Sequence, residues 1–205
     1  MRHLPETWLR DARAVGARGD VAQAGVDLLG RYTEAHRRYH DLAHVDDVLR
    51  HVEELSAHAG DVRVVRLAAW FHDAVYDPAA ADNEDRSAQV AETTLAALRV
   101  DDDVVADVAR LVRVTAEHAP EQGDADAEVL CDADLAILAS APARYDDYVA
   151  AVRAEYAHLD GATFALGRAA VLRRLLARES LFSTQTGRTE WEAAARQNLA
   201  AELAH

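Results

Sequence analysis

The spacing of apolar residues is what most limits the folds open to this chain. Hydrophobic side chains recur at intervals of three and four, and no segment alternates with the period of two that a half-buried strand requires. Leu42, Val45, Val48, Leu49, Val52 and Leu55 share one stripe of a helix that opens at or just before Asp41. Asp20 precedes another helical stretch, VAQAGVDLLGRYTEA. Asp61 precedes VRVVRLAAWFHDAVY, whose apolar residues surround most of the helix and predict burial on all sides. The Asp77-Pro78 step is expected to end it, because a residue before proline is pushed out of the α region. Further helices are expected over DNEDRSAQVAETTLAAL with Asp82 as cap, and over VVADVARLVRVTAEH behind the acidic run 101–103. EVLCDADLAILAS, PARYDDYVAAVRAEYAH with Pro142 in its first turn, and FALGRAAVLRRLLARE follow. The last is RTEWEAAARQNLAAELAH, where Thr189 and Glu192 stand at capping-box spacing. With no repeat and no linker, the expectation is an all-α single domain over 1–205, a bundle of roughly eight to ten helices.

Composition narrows the chemistry. The chain has 205 residues, 50% hydrophobic, enough for one core of ordinary size. All 22 basic residues are Arg, against 36 acidic ones, for a net charge of −14. Without Lys there is no Schiff base and no Walker-type phosphate lysine. A single Cys, Cys131, excludes an internal disulfide and a CxxC motif. The negative charge argues against nucleic acid as a partner. The first residues lack a secretory apolar core, and no apolar run approaches the roughly 18 residues of a membrane span. A cytoplasmic protein without a membrane partner is expected.

Three segments place metal-ligand side chains inside apolar helices, near 40–50, 62–76 and 128–139. RRYHDLAH (37–44) carries His40 and His44 four residues apart, on one helical face. AAWFHDAVYD (68–77) has His72 and Asp73 adjacent at the end of the most hydrophobic helix, where a carboxylate is costly unless paired or bound to a cation. CDADLAIL (131–138) adds Asp132 and Asp134. Such a mixed imidazole and carboxylate set suits a divalent ion: Mn2+, Fe2+, Co2+, Ni2+, Zn2+ or, with more water ligands, Mg2+. Such an ion lowers the pKa of a bound water and polarises a phosphoryl oxygen.

The order His, His-Asp, Asp, with the paired HD closing a buried helix, resembles the HD-domain superfamily of metal-dependent phosphohydrolases. YHDLAHVDDV is similar to the YHNxxHxxDV signature of cyclic nucleotide phosphodiesterases, and Ala133-Asp134-Leu135 matches their ADL. Over nearly the whole chain the sequence looks like a group of small bacterial HD proteins described as predicted metal-dependent hydrolases. HRRYHDLAH, AAWFHDAVYD, DNEDRSA and DADL are the specific blocks of that likeness. The resemblance implies His44, His72, Asp73 and Asp134 as metal ligands, with Asp134 favoured over Asp132. It implies His40 as the acid that protonates the leaving group.

Other residues have a plain and a functional reading. Glu84 either orders the attacking water, or a second ion, or simply complements the start of its helix. His118 either meets free carbonyls at its helix end or contacts phosphate or a second metal. Arg37 and Arg38, beside the first motif, are the first candidates for phosphate, with Arg168 and Arg196 behind them. Tyr39 and Tyr76 either pack or stack on a base. His3, His51, His58, His158 and His205 are expected at the surface or in ordinary contacts. The leading expectation is a metal-dependent phosphohydrolase acting on a small phosphorylated substrate such as a nucleotide, with self-association into a homo-oligomer left open. A di-iron oxygenase of HD type would need additional His ligands, of which only His118 is well placed. A metal-stabilised binding module without catalysis would not need His40.

Overall fold

Aspartates start the helices largely where the pattern placed them. The computed structural model describes residues 4–204, so His3 and His205 lie outside the described residues. Among these residues the chain is all-α, with ten α-helices and no strand. They are α1 (Leu4–Ala14), α2 (Val21–Arg31), α3 (Leu42–Glu54), α4 (Val62–Phe71), α5 (Asn83–Ala97), α6 (Asp102–Val114), α7 (Ala125–Leu135), α8 (Pro142–Glu155), α9 (Gly161–Leu176) and α10 (Glu192–Leu203). Asp20, Asp41 and Asp61 accept from first-turn amides of α2, α3 and α4. Asp124 and Asp160, which the apolar spacing did not single out, do the same for α7 and α9. No helix is long and apolar enough to cross a membrane.

Several boundaries differ from expectation, each for a visible reason. α4 stops at Phe71, before Pro78 can act, where side chains from elsewhere take carbonyls at and beyond its last turn. Tyr32 Oη donates to Trp70 O at 2.9 Å, and Arg37 donates to Asp73 O and Ala74 O. The expected Asp82 cap of α5 forms no capping hydrogen bond. The capping box at Thr189 and Glu192 does not form either. Thr189 Oγ1 instead donates back to Gln185 O within a π-helical turn, and the Glu192 carboxylate accepts from the Leu181 and Phe182 amides. α1 was not anticipated. It is held by Trp8, which packs edge-on against Trp70 and Phe71 and donates to Val21 O at 2.7 Å. Gly25 permits that approach, since a Cβ there would lie 2.3 Å from the Trp8 ring.

Two hydrophobic clusters result. The larger draws on α1 to α7, with α4 buried from Val64 to Phe71 as its sequence predicts. Even Arg66 is buried there, its guanidinium bonded to both oxygens of Asp11 and to Glu53. The smaller joins Leu138, Tyr145, Leu172, Leu175, Phe182 and Leu199, from the segment after α7 through α8, α9 and α10. Trp191 packs against both. α7 carries Ala133 into the first and Leu135 into the margin of the second, so Asp134 sits at their junction.

Candidate metal centre

The first turn of α3, the end of α4 and the last turn of α7 meet at that junction. His44 is 4% exposed and His72 1%, and their Nε2 atoms lie 3.0 Å apart. Asp134 Oδ1 is 3.1 Å from His44 Nε2 and 3.7 Å from His72 Nε2. Asp73 Oδ2 is 3.0 Å from His72 Nε2 and 3.4 Å from His44 Nε2. His44, His72 and Asp134 present ligand atoms all within 4.8 Å of one another, and are placed to hold a metal ion. Two ligands at bond lengths of ~2.1 Å stand ~3.0 Å apart in octahedral cis positions and ~3.4 Å apart in a tetrahedron. The observed separations therefore suit ligands around one ion. His72 Nδ1 donates to Ala69 O at 2.9 Å, which turns Nε2 toward the cluster with its lone pair.

The electrostatics of the cluster favour positive charge within it. Burial works against charge on the imidazoles, but hydrogen bonds to Asp134 and Asp73 outweigh it, and His44 is pushed up to about 10. His72 is also raised despite burial, through the charges of Asp73 and Asp134. Burial favours neutral carboxyls, yet the imidazoles hold Asp73 and Asp134 well below the usual carboxylate range. Two half-buried carboxylates thus draw positive charge between them, which protons or a divalent ion can provide.

The structure separates the competing aspartates. Asp132 accepts from the Ser183 amide and from the amide and hydroxyl of Thr184, at 2.7 to 2.8 Å, and ties α7 to the chain before α10. Gly187 packs so closely here that a Cβ would stand 2.7 Å from Asp132 Oδ2. Asp132 is therefore engaged away from the cluster and Asp134 belongs to it. His118 Nε2 lies 2.7 Å from Asp134 Oδ2, leaving Oδ1 for the cluster. Its backbone is left-handed, with φ of 45°, and Arg178 donates to its carbonyl at 2.8 Å.

His40 stands beside the cluster with its own carboxylate. Its Nδ1 is 2.7 Å from Glu155 Oε2, and its ring stacks on Tyr76 with centroids 4.1 Å apart. Glu155 Oε1 accepts the amides of Arg38, Tyr39 and His40, and Oε2 also accepts Tyr76 Oη. Burial would raise this carboxyl, but the hydrogen bonds from His40 and the backbone outweigh it and bring Glu155 to about 2. Sequence reasoning missed Glu155, which lies far along the chain from the residues it organises.

A cavity of about 630 Å3 opens over the centre, lined by His40, Asp73, Glu84, His118 and Asp134, with Tyr156, Phe164 and the inner face of α9 beyond. A smaller one of about 330 Å3 lies against His44 and Asp134 on the side of Arg50, Arg144 and Trp191. Compared with family models, with curated proteins and with solved structures, this chain matches none. The chemistry therefore has to be argued from the site itself.

Two expected phosphate binders are not cavity residues. Arg37 is buried, and its guanidinium donates to Glu34, to His40 O and Asp73 O, and more weakly to Ala74 O. It braces the two motif segments against each other. Arg38 is exposed and turns its guanidinium to Ala35 O and Arg37 O. Arg196 serves Glu192 and the carbonyls of Leu176, Arg178 and Glu179. Arg168 does line the large cavity, together with Arg174 and Arg178. Tyr39 packs on His44, with ring centroids 4.7 Å apart. The remaining described histidines make ordinary contacts: His36 with Tyr76, His51 with Glu54 and Arg50, His58 with Thr186, and His158 by stacking on Tyr156.

Proposed function

We propose that this protein is a cytoplasmic metal-dependent phosphohydrolase of the HD type, acting on a small phosphoester or phosphoanhydride such as a nucleotide. The observation that carries this reading is that Asp73 and Asp134 bring the cluster to the same cavity as His40. His44, His72, Asp73 and Asp134 would hold one divalent ion, and beside them His40 is oriented by a buried carboxylate. Such an ion supplies Lewis acidity and a water of lowered pKa at neutral pH. Glu155 fixes Nδ1 of His40, so that Nε2 can hold a proton for the leaving oxygen. Glu84, on the cavity wall in the first turn of α5, can accept a proton from the attacking water. His118 keeps Asp134 turned toward the cluster. A metal-stabilised binding module would have no need of a proton donor, so a His40 held by Glu155 beside the cluster favours catalysis over that reading.

The experiment is phosphate release from a panel of phosphoesters, nucleotides included, with Mn2+, Co2+, Mg2+ or Ni2+. Turnover is expected with at least one ion, to be abolished in Asp73→Ala and to fall by about 100-fold or more in His40→Ala. Absence of turnover on every ester with all four ions would sink the proposal.

A further inference from the structure

With Arg37 and Arg38 turned away, the arginines that line the large cavity are the candidates there for anionic substrate oxygens. Three arginines line the large cavity, and two are each held by more than one partner. Arg168 donates to both oxygens of Glu202, at 2.8 and 3.0 Å, and to Tyr148 Oη. Arg178 gives both terminal nitrogens to the carbonyls of His118 and Glu117. Arg174 has one partner, Glu117 Oε2 at 2.9 Å, and both side chains of that pair are more than half exposed. An exposed ion pair of this kind is weak and exchanges readily for a better anion. Glu117 is the chain neighbour of His118, whose ring bonds Asp134, and both residues line the cavity with Arg174.

The rest of the same helical face is shaped for the other half of a ligand. Thr163, Gly167, Val171 and Arg174 follow one another at intervals of four, four and three, and all line the cavity. Gly is disfavoured inside a helix, yet a Cβ at Gly167 would meet nothing within 4 Å. Packing does not require glycine there, so the helix leaves open space on its cavity side. Phe164 borders this stretch.

We propose that α9 is the recognition wall for the substrate, with Arg174 exchanging Glu117 for phosphate oxygens and Gly167 leaving room for a flat organic group. The ligand class is a phosphate monoester of an aromatic or heteroaromatic alcohol, or of a nucleoside. The phosphate identity rests on the hydrolase reading, whereas the test below reads binding alone.

Calorimetric titration of Mn2+-loaded protein with inorganic phosphate and with phenylphosphonate, which cannot be hydrolysed, decides it. Arg174→Ala is expected to weaken both ligands by about tenfold, the loss of one charge-assisted contact. Arg173→Ala, one residue away, leaves both unchanged. Gly167→Phe keeps phosphate affinity and weakens phenylphosphonate by about tenfold, while Gly167→Ala binds both as the unmodified protein does. Wild-type affinity for both ligands in Arg174→Ala, undiminished phenylphosphonate binding in Gly167→Phe, or no binding of either ligand by the unmodified protein would overturn the proposal. Binding in the expected pattern without cleavage of any ester would count against the hydrolase reading alone.

Discussion

Glu155 shows how one buried carboxylate can serve both stability and chemistry. It accepts three amides of the 38–40 turn along with the His40 ring and the Tyr76 hydroxyl, and it lies at about 2 against an ordinary 4.5. A carboxyl depressed in the folded state stabilises fully above its unfolded value, and that stability is lost as pH falls through the folded one. The window is therefore about pH 4.5 down to about 2. In urea titrations the unmodified protein should exceed Glu155→Gln by about 2–3 kcal/mol near neutrality, with the gap closing across that window. A gap independent of pH would contradict the assignment. Residue by residue, the cluster was legible because His44, His72-Asp73 and Asp134 are polar interruptions of apolar helices, which sequence displays directly. Glu155 was not, because its meaning lies in partners more than a hundred residues away. Arg37 was misread for a similar reason. Its place beside the motif suggested a ligand-binding role, but its burial made it a brace.

At the scale of elements, helix starts were more legible than helix ends. An aspartate before an apolar stripe is a local signal, and Asp20, Asp41 and Asp61 act as read. The end of α4 is set from a distance, by Tyr32 and Arg37 taking carbonyls at and beyond its last turn, and no local pattern records that. The failed capping box at Thr189 is the same lesson, since Glu192 finds the amides of Leu181 and Phe182 instead. Arg37→Ala would leave the carbonyls of His40, Asp73 and Ala74 without their donor. It should cost at least about 3 kcal/mol in denaturant unfolding, and Arg37→Lys should recover little because an ammonium lacks the planar fork. Phosphate affinity of the folded fraction should stay unchanged in either variant. A stable Arg37→Ala protein that has lost phosphate binding would return this residue to the substrate.

At the scale of the whole molecule, the proposed substrate is an anion while the chain is strongly acidic. At −14 the chain repels phosphate at long range, so local positive charge must offset the field where substrate binds. Lys is absent, and Arg174 with a divalent ion can supply that charge. The ion would also join α3, α4 and α7 where the two hydrophobic clusters meet. Its removal should lower the melting temperature, because a ligand at 100 times its dissociation constant adds about 3 kcal/mol to the folded state. The most direct test of the account is metal content per chain, measured on protein purified anaerobically from unmodified, Asp134→Ala and Asp132→Ala forms. One divalent ion per chain is expected in the unmodified protein, lost in Asp134→Ala and kept by the folded fraction of Asp132→Ala. No ion, two irons per chain, or an ion retained in Asp134→Ala would contradict it.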